Sequence, residues 1–409
     1  MKKKYIIFST VALVLLITLV TCFNYFKTTN NYVEDNTSKL TKITKGISMN
    51  LEQTAGAGDY KTVTQSGWPT EGYKFNTELS RCENGSELSW DDTNKKVIVS
   101  GNLSDKCYVY FDIIPTLSII CSSGENLSTC IKKYGDMGPV ASNIYIHNAN
   151  LTNGAGDNSY RYAGANPNNY VCFGSDANLC PTDNLYRIIG VIDDKVRLIK
   201  YDYATSNLLG TNGDYSTYVS TPDSTYKGSL TEIDGYRWNQ ENEENTWSKS
   251  NLNKINLNTN FINNTGTTWA NKIATTTWKV GVGEFTGLPS AIYQNEILNT
   301  QATEYSDKMG LVYVSDYGFA ASSDMWTIAL DSYTKTATNN NWLYMGSGEW
   351  TISPKTTAFD TVHGISSDGK IMSAFVGMDS LGVRPVFNLE SSVTYVSGDG
   401  TQSSPIRIS

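Results

Sequence analysis

Residues 5–23, from Tyr5 to Phe23, carry no charge and are rich in Ile, Val and Leu, with Lys2, Lys3 and Lys4 immediately before them. A helix rises about 1.5 Å per residue, so about 20 such residues cross a hydrocarbon core of roughly 30 Å. Lysines on the N-terminal flank favour keeping that end in the cytoplasm. The expectation is a single-pass signal anchor over 1–26, with the membrane as partner and everything after it extracytoplasmic, at the cell surface. A cleaved signal peptide has a shorter apolar core, of about 7–15 residues, and a small-residue cleavage site. Thr21-Cys22-Phe23-Asn24 is a poor one, and Leu19-Val20-Thr21 lacks the small residue that lipidation of Cys22 requires. Cleavage and lipidation stand as the alternatives to an anchor.

Cysteine usage agrees with export. Beyond Cys22, six cysteines fall as the close pairs Cys82/Cys107, Cys121/Cys130 and Cys172/Cys180. An even number behind an export signal suggests disulfide bonds, although spacing does not settle the connectivity. A loop the size of 82–107 would gain on the order of 3 kcal/mol from closure. Cys-x-x-Cys spacing is missing, which disfavours zinc and redox chemistry.

The formal charge of −8 argues against nucleic acid, which requires Lys/Arg patches. Only 18% of residues are charged, while Tyr (26) and Gly (33) are abundant, which suits exported β-rich domains. Residues 27–58 read as a polar stalk or linker, partly helical near 38–53. A small β-rich, disulfide-stapled module follows at 59–114, with strands at Lys95–Val99 and Cys107–Phe111. Pro115 marks a boundary. Residues 115–183 read as a connecting helix, one short helix over 116–134 carrying Cys121 and Cys130, and then an ordered loop-rich stretch.

The segment 184–390 reads as one domain. It opens with a hairpin, Tyr186–Ile192 and Lys195–Lys200 about the turn Asp193-Asp194, whose alternation predicts a half-buried sheet. Helical candidates run from Trp247 through Leu252, Ile255, Leu257 and Phe261 to Trp269, Ile273 and Trp278. Strands are expected at Met309–Val314, Trp342–Tyr344, Trp350–Ile352, Val362–Ile365, Ile371–Val376 and Gly382–Leu389, and 391–409 reads as a tail.

These segments, in this order, resemble a bacterial domain of unknown function with a C-type-lectin-like fold, related to formylglycine-generating sulfatase-modifying enzymes. The segments carrying the resemblance are Tyr186–Val191 with Val196–Ile199, Trp247–Leu252, Trp350–Pro354, Asp368-Gly369 and Gly382-Val383-Arg384-Pro385. It covers 184–390 and implies an α+β domain with a small sheet, a helix or two and long ordered loops. Trp247, Trp350 and Arg384 are then structural, the guanidinium of Arg384 having five donors with which to tie loop carbonyls from within the last strand. The oxidising enzymes of that group use reactive cysteines in the C-terminal half, whereas no cysteine follows Cys180. The chain is therefore read as no enzyme of that kind.

Other chemistry has little support. With only His147 and His363, a His-dependent nucleophile or zinc site needs one of them well placed, and His363 reads as a surface or loop residue. Asp316, Asp324 and Glu349, near Tyr317, Trp326 and Trp350, are the acids a glycosidase would draw on, but no spacing singles out a pair. Asp157-Asn158 and Asp399-Gly400 offer hard oxygen ligands to calcium, although plain turns explain them and no full calcium loop occurs. No cofactor is implied otherwise. The expected function is a cell-surface binding or adhesion-type protein. Loops of 184–390, with exposed Tyr and Trp, would contact a glycan or protein ligand. The alternatives are a structural envelope or appendage protein and a cell-surface hydrolase with an unrecognised site.

Overall fold

The computed structural model describes residues 32–34, 40–42 and 46–409, apart from 65, 66, 70, 102–104, 223 and 282. The expected anchor at 5–23 lies outside the described residues. Among the described residues no helix is long and apolar enough to cross a membrane. The fold is mixed α+β with several small sheets, in two compact units, Met1–Pro115 and Thr116–Ser409.

In the first unit Ile47–Glu52 alternates apolar and polar residues with the period of a strand, and its Met49–Glu52 stretch is buried on both faces. It pairs in parallel with Cys107–Ile113 and antiparallel with Tyr60–Val63. Residues 47–52 are thus part of a sheet. The stalk reading of 27–58 and the helix expected near 38–53 do not hold there, because these residues pair as a strand on both edges. Lys96–Ser100 pairs with Glu87–Asp91, and Cys107–Ile113 also receives Tyr73–Phe75 and Arg81–Cys82. Trp68, Phe75 and Trp90 surround the buried Phe111 ring at 5.4–6.1 Å. So small a core gains from a staple, and Cys82–Cys107 closes it.

In the second unit one antiparallel sheet runs Ile144–Ile146, Tyr160–Tyr162, Leu185–Ile192, Lys195–Lys200, Val386–Asn388, Met309–Gly310, with Tyr170–Cys172 on the side of Leu185–Ile192. Asp193 and Asp194 both have positive φ, 49° and 61°, as a tight hairpin turn of this hand demands. All eight residues of Leu185–Ile192 are buried, so the hairpin is covered on both faces and not half-exposed. The single helix expected over 116–134 is two, Leu117–Ile120 and Leu127–Asp136, bridged by Cys121–Cys130. Cys172–Cys180 closes the loop before the hairpin.

Residues 391–409 are no free tail. Tyr395–Ser397 pairs with Arg407–Ile408, and Ile406 exchanges backbone hydrogen bonds with Tyr170 and Cys172. Trp278 lies on the strand Thr276–Val280 instead of a helix. The run Met309–Val314 is a strand only at Met309–Gly310, and Val314–Phe319 is helical. Trp342–Tyr344 is a turn, not a strand. A second sheet of Glu349–Pro354, Thr361–Ile365 and Ile371–Phe375 lies beside a ribbon of Tyr215–Ser220 and Ile233–Tyr236, linked through the Tyr236–Leu381 and Glu349–Gly382 bridges.

Candidate functional site

The acids that a hydrolase would draw on lie apart, and two of them, Asp316 and Glu349, are engaged by arginines. Asp316 is buried between Arg161 and Arg197, the latter at 3.1 Å. Arg161 also holds Asp157 at 3.0 Å, and Tyr293 donates to the same carboxylate at 2.8 Å. Burial pulls the Asp157 carboxyl up, yet Arg161 and the donors Ser159 and Tyr293 hold it below the usual range. This uses Asp157 as an ion-pair partner, and Asn158 beside it takes a left-handed turn conformation. Asp399 accepts from Thr401, within a turn. Among the described residues no cluster of three His, Cys, Asp or Glu side chains is arranged to hold a metal.

Glu349 is fully buried against Arg384, which donates to it through Nε at 3.0 Å and Nη2 at 2.7 Å and ties the Leu343 carbonyl. Burial raises the Glu349 pKa and the guanidinium opposes that shift. Arg384 precedes the strand Val386–Asn388 and is not within it. Asp324 is exposed on a separate helical turn, Ser323–Thr327.

Both histidines are buried, so His363 is not a surface residue. It sits on the strand Thr361–Ile365, its Nε2 3.1 Å from the Gly283 carbonyl and its ring against Phe285. His147 accepts from the Ala155 amide at 3.0 Å and packs between Phe319 and Trp326. Burial pushes His147 down to about 3 and lowers His363 as well, so both stay neutral. Among the described residues the hydrogen bonds of both rings go to backbone groups.

Every tryptophan of the second unit, Trp247 and Trp350 included, is buried. The indoles of Trp238 and Trp350 donate to the Thr351 and Tyr236 carbonyls. Tryptophan therefore builds the core and is not the exposed contact residue expected from composition. A cleft of about 580 Å³ beside the Cys172–Cys180 loop includes Trp269, Asp176 and Arg407. Arg407 spends its donors on the Ser175, Ala177 and Asn178 carbonyls and so holds that loop in place.

Large apolar side chains meet solvent elsewhere. Phe359 (75% exposed), Phe375, Met378 (77% exposed) and Tyr218 lie on adjoining loops and strand ends. Thr361 pairs with Phe375, and the Val376 amide donates to the Asp360 carbonyl at 2.9 Å, which places the Phe359 and Phe375 segments side by side. Gly235 links the other flank, since a Cβ there would meet both the Tyr218 carbonyl and Ser380.

The backbone beneath this patch is pinned. Asn245 gives its side-chain amide to the Lys355, Ala358 and Thr361 carbonyls at 2.8–3.0 Å and its own N–H to Phe359. The amides of Trp238 and Asn239 both bond the Val376 carbonyl. Asp379 accepts from the Phe375 amide at 2.6 Å and closes the 375–379 turn. Exposed apolar groups on a fixed backbone form a contact surface with little entropy left to lose on binding.

Sequence reasoning overlooked these residues and also Glu296. Phe359 follows Thr356-Thr357-Ala358, and Met378 sits in Gly377-Met378-Asp379-Ser380. A large apolar residue inside turn-forming polar residues is the signal that marks them. Glu296 is buried under the helix Val314–Phe319 and accepts from the Val314 and Ser315 amides and from the Ser315 and Ser353 hydroxyls. Burial pushes it up to about 7.

Fold and surface together define a disulfide-stapled, mixed α+β unit that presents pinned apolar loops. Residues 216–391, which include the whole patch, match the model of a family described as "Domain of unknown function (DUF6273)". No curated protein and no solved structure matches the chain.

Proposed function

We propose that this chain is a non-catalytic, cell-surface binding protein, held in the membrane by residues 5–23, whose second unit recognises a ligand through the Tyr218–Phe359–Phe375–Met378 surface. The observation that carries this reading is the pairing of high exposure with a tied backbone at Phe359 and Met378. A C-type-lectin-like scaffold is the fold reading that goes with it. Its support is the pairing of the opening hairpin with the late strand Val386–Asn388, which brings distant segments together beneath long loops. Three disulfides support the extracytoplasmic placement.

The test uses the full chain in detergent on an array of glycans, cell-wall polymers, peptides and whole cells, beside the Phe359→Ser/Met378→Ser variant. Expected is retention on at least one surface, lost in the variant while its thermal midpoint stays in place. No retention on any surface would sink the reading, as would retention that the variant keeps in full.

A further inference from the structure

The rim of this surface is acidic, and that selects among partners. Glu243 and Glu244 directly precede Asn245, whose N–H holds Phe359. Asp360 follows Phe359 and Asp379 follows Met378. Glu243 is the most exposed of the four to a visitor and the most deliberately placed. It holds a left-handed backbone, φ 48°, which non-glycine residues adopt at a cost. Its side chain lies against Gly377, where an added Cβ would approach the Glu243 Cγ to 3.0 Å. The missing side chain at 377 thus leaves room for a carboxylate between Phe375 and Met378. Of the neighbouring cations, Lys249 neutralises Glu244 at 2.8 Å, Lys355 is paired with Glu284 at 3.4 Å, and Arg237 donates to Gln240, which leaves Glu243, Asp360 and Asp379 as the acids of the rim.

We infer that the partner of this surface is a polypeptide segment carrying Lys or Arg on either side of exposed apolar or aromatic side chains. The inference rests on the binding reading above and gives it a ligand class. Apolar side chains would cover Phe359, Phe375 and Met378 while cations meet Glu243, Asp360 and Asp379. An acidic rim repels a second copy of the same face and repels anionic lipid headgroups, so charge argues against both as occupants. Charge matching also makes encounter salt-sensitive, while the apolar centre sets the lifetime of the complex.

The probe is a labelled dodecapeptide alternating Lys and Phe, its binding to the full chain in detergent followed by fluorescence anisotropy. Two control peptides replace every Lys by Glu or every Phe by Ser. Expected is at least roughly tenfold tighter binding of the Lys/Phe peptide than of either control, weakening several-fold when salt is raised to about 0.5 M. Glu243→Lys should weaken it several-fold. Phe359→Ser/Met378→Ser, which leaves net charge unchanged, should weaken it about tenfold or more. Equal binding of the Lys and Glu peptides, with both lost in the Ser variant, overturns the charge assignment and leaves the surface reading standing. Lys/Phe binding that Phe359→Ser/Met378→Ser does not weaken means adsorption by net charge and overturns the inference. So does failure of the Lys/Phe peptide to bind, and retention on the array then still tests the broader reading separately.

Discussion

Asp316 is 2% exposed and sits between two arginines, whereas Phe359 is 75% exposed and has no apolar cover. Between these two regions the second unit inverts the usual placement of charge inside and out. Its interior holds Arg161, Arg197, Arg384, Asp316, Glu349 and Glu296, and its outer loops hold Phe359, Phe375 and Met378. Asp316 is paired with Arg161 and Arg197 and Glu349 with Arg384, while Glu296 has no cation beside it and is held by amides and hydroxyls. The exposed apolar groups are unmatched, while the backbone that carries them is tied at the Phe359 carbonyl, the Phe375 amide and Val376. Titratable side chains in an interior are often where catalysis is sought. Here Asp316 and Glu349 hold arginines that tie strands and loops together, and exposed apolar groups lie on the outer loops.

Breaking the interior should have the largest effect. Asp316→Ala leaves Arg197 without its carboxylate and Arg161 with Asp157 alone, and removing one partner of a buried pair costs about 3–5 kcal/mol. Urea denaturation followed by tryptophan fluorescence checks this. A loss below about 1 kcal/mol would mean that the ion network is incidental to the fold.

A pH experiment sharpens the same contrast. The imidazoles of His147 and His363 are pushed down, so as pH falls below about 6.5 the unfolded chain binds protons first and stability is lost. Glu296, pushed up to about 7, acts in the opposite sense. Between pH 7 and about 4.5 the native chain takes its proton before the unfolded one, so stability rises on acidification. Glu296→Gln removes that rise. Its stability should fall more steeply than the wild type's from pH 7 to pH 5, by roughly 2 kcal/mol over the window. Parallel curves would show that Glu296 is already ionised in the native chain.

How much of this was legible depended on the range of the interactions. The hairpin Leu185–Lys200 could be read because its turn residues, Asp193 and Asp194, and its apolar strands are adjacent in the chain. Ile47–Glu52, expected in a stalk, forms a hairpin with the nearby Tyr60–Val63, and only its parallel pairing with Cys107–Ile113 lies far downstream. In Met309–Val314 a continuous apolar run carries no period, so strand and helix could not be told apart, and the helix begins at Val314. The pairing of Arg161 with Asp316 spans 155 residues and no local pattern announces it. Trp247 and Trp350, expected to be structural, are buried. The expectation that other tryptophans would be contacts failed because indole area favours burial wherever a carbonyl can take the N–H.

Smaller effects belong to the outer loops. Asn245→Ala removes the donor to three carbonyls of the 355–361 loop and should cost about 1–2 kcal/mol. Its more telling readout is hydrogen exchange, which should quicken across 355–361 while Leu185–Ile192 stays protected. Exchange that is unchanged in the loop would mean that Asn245 does not hold it.

The smallest expected change in stability is at Phe359 itself. Its ring gains little from the fold because most of it remains in water, so Phe359→Ser should shift stability by no more than about 0.5 kcal/mol. The buried neighbour Val376, two residues before Met378, supplies the internal control. Val376→Ser places a hydroxyl in the core and removes packed carbon, and should cost roughly 2–3 kcal/mol. Thermal unfolding of the two variants side by side separates a residue kept for the fold from one kept for contact. If Phe359→Ser proves as destabilising as Val376→Ser, the ring is part of the core, and the case for an outward-facing recognition surface at Phe359 fails with it.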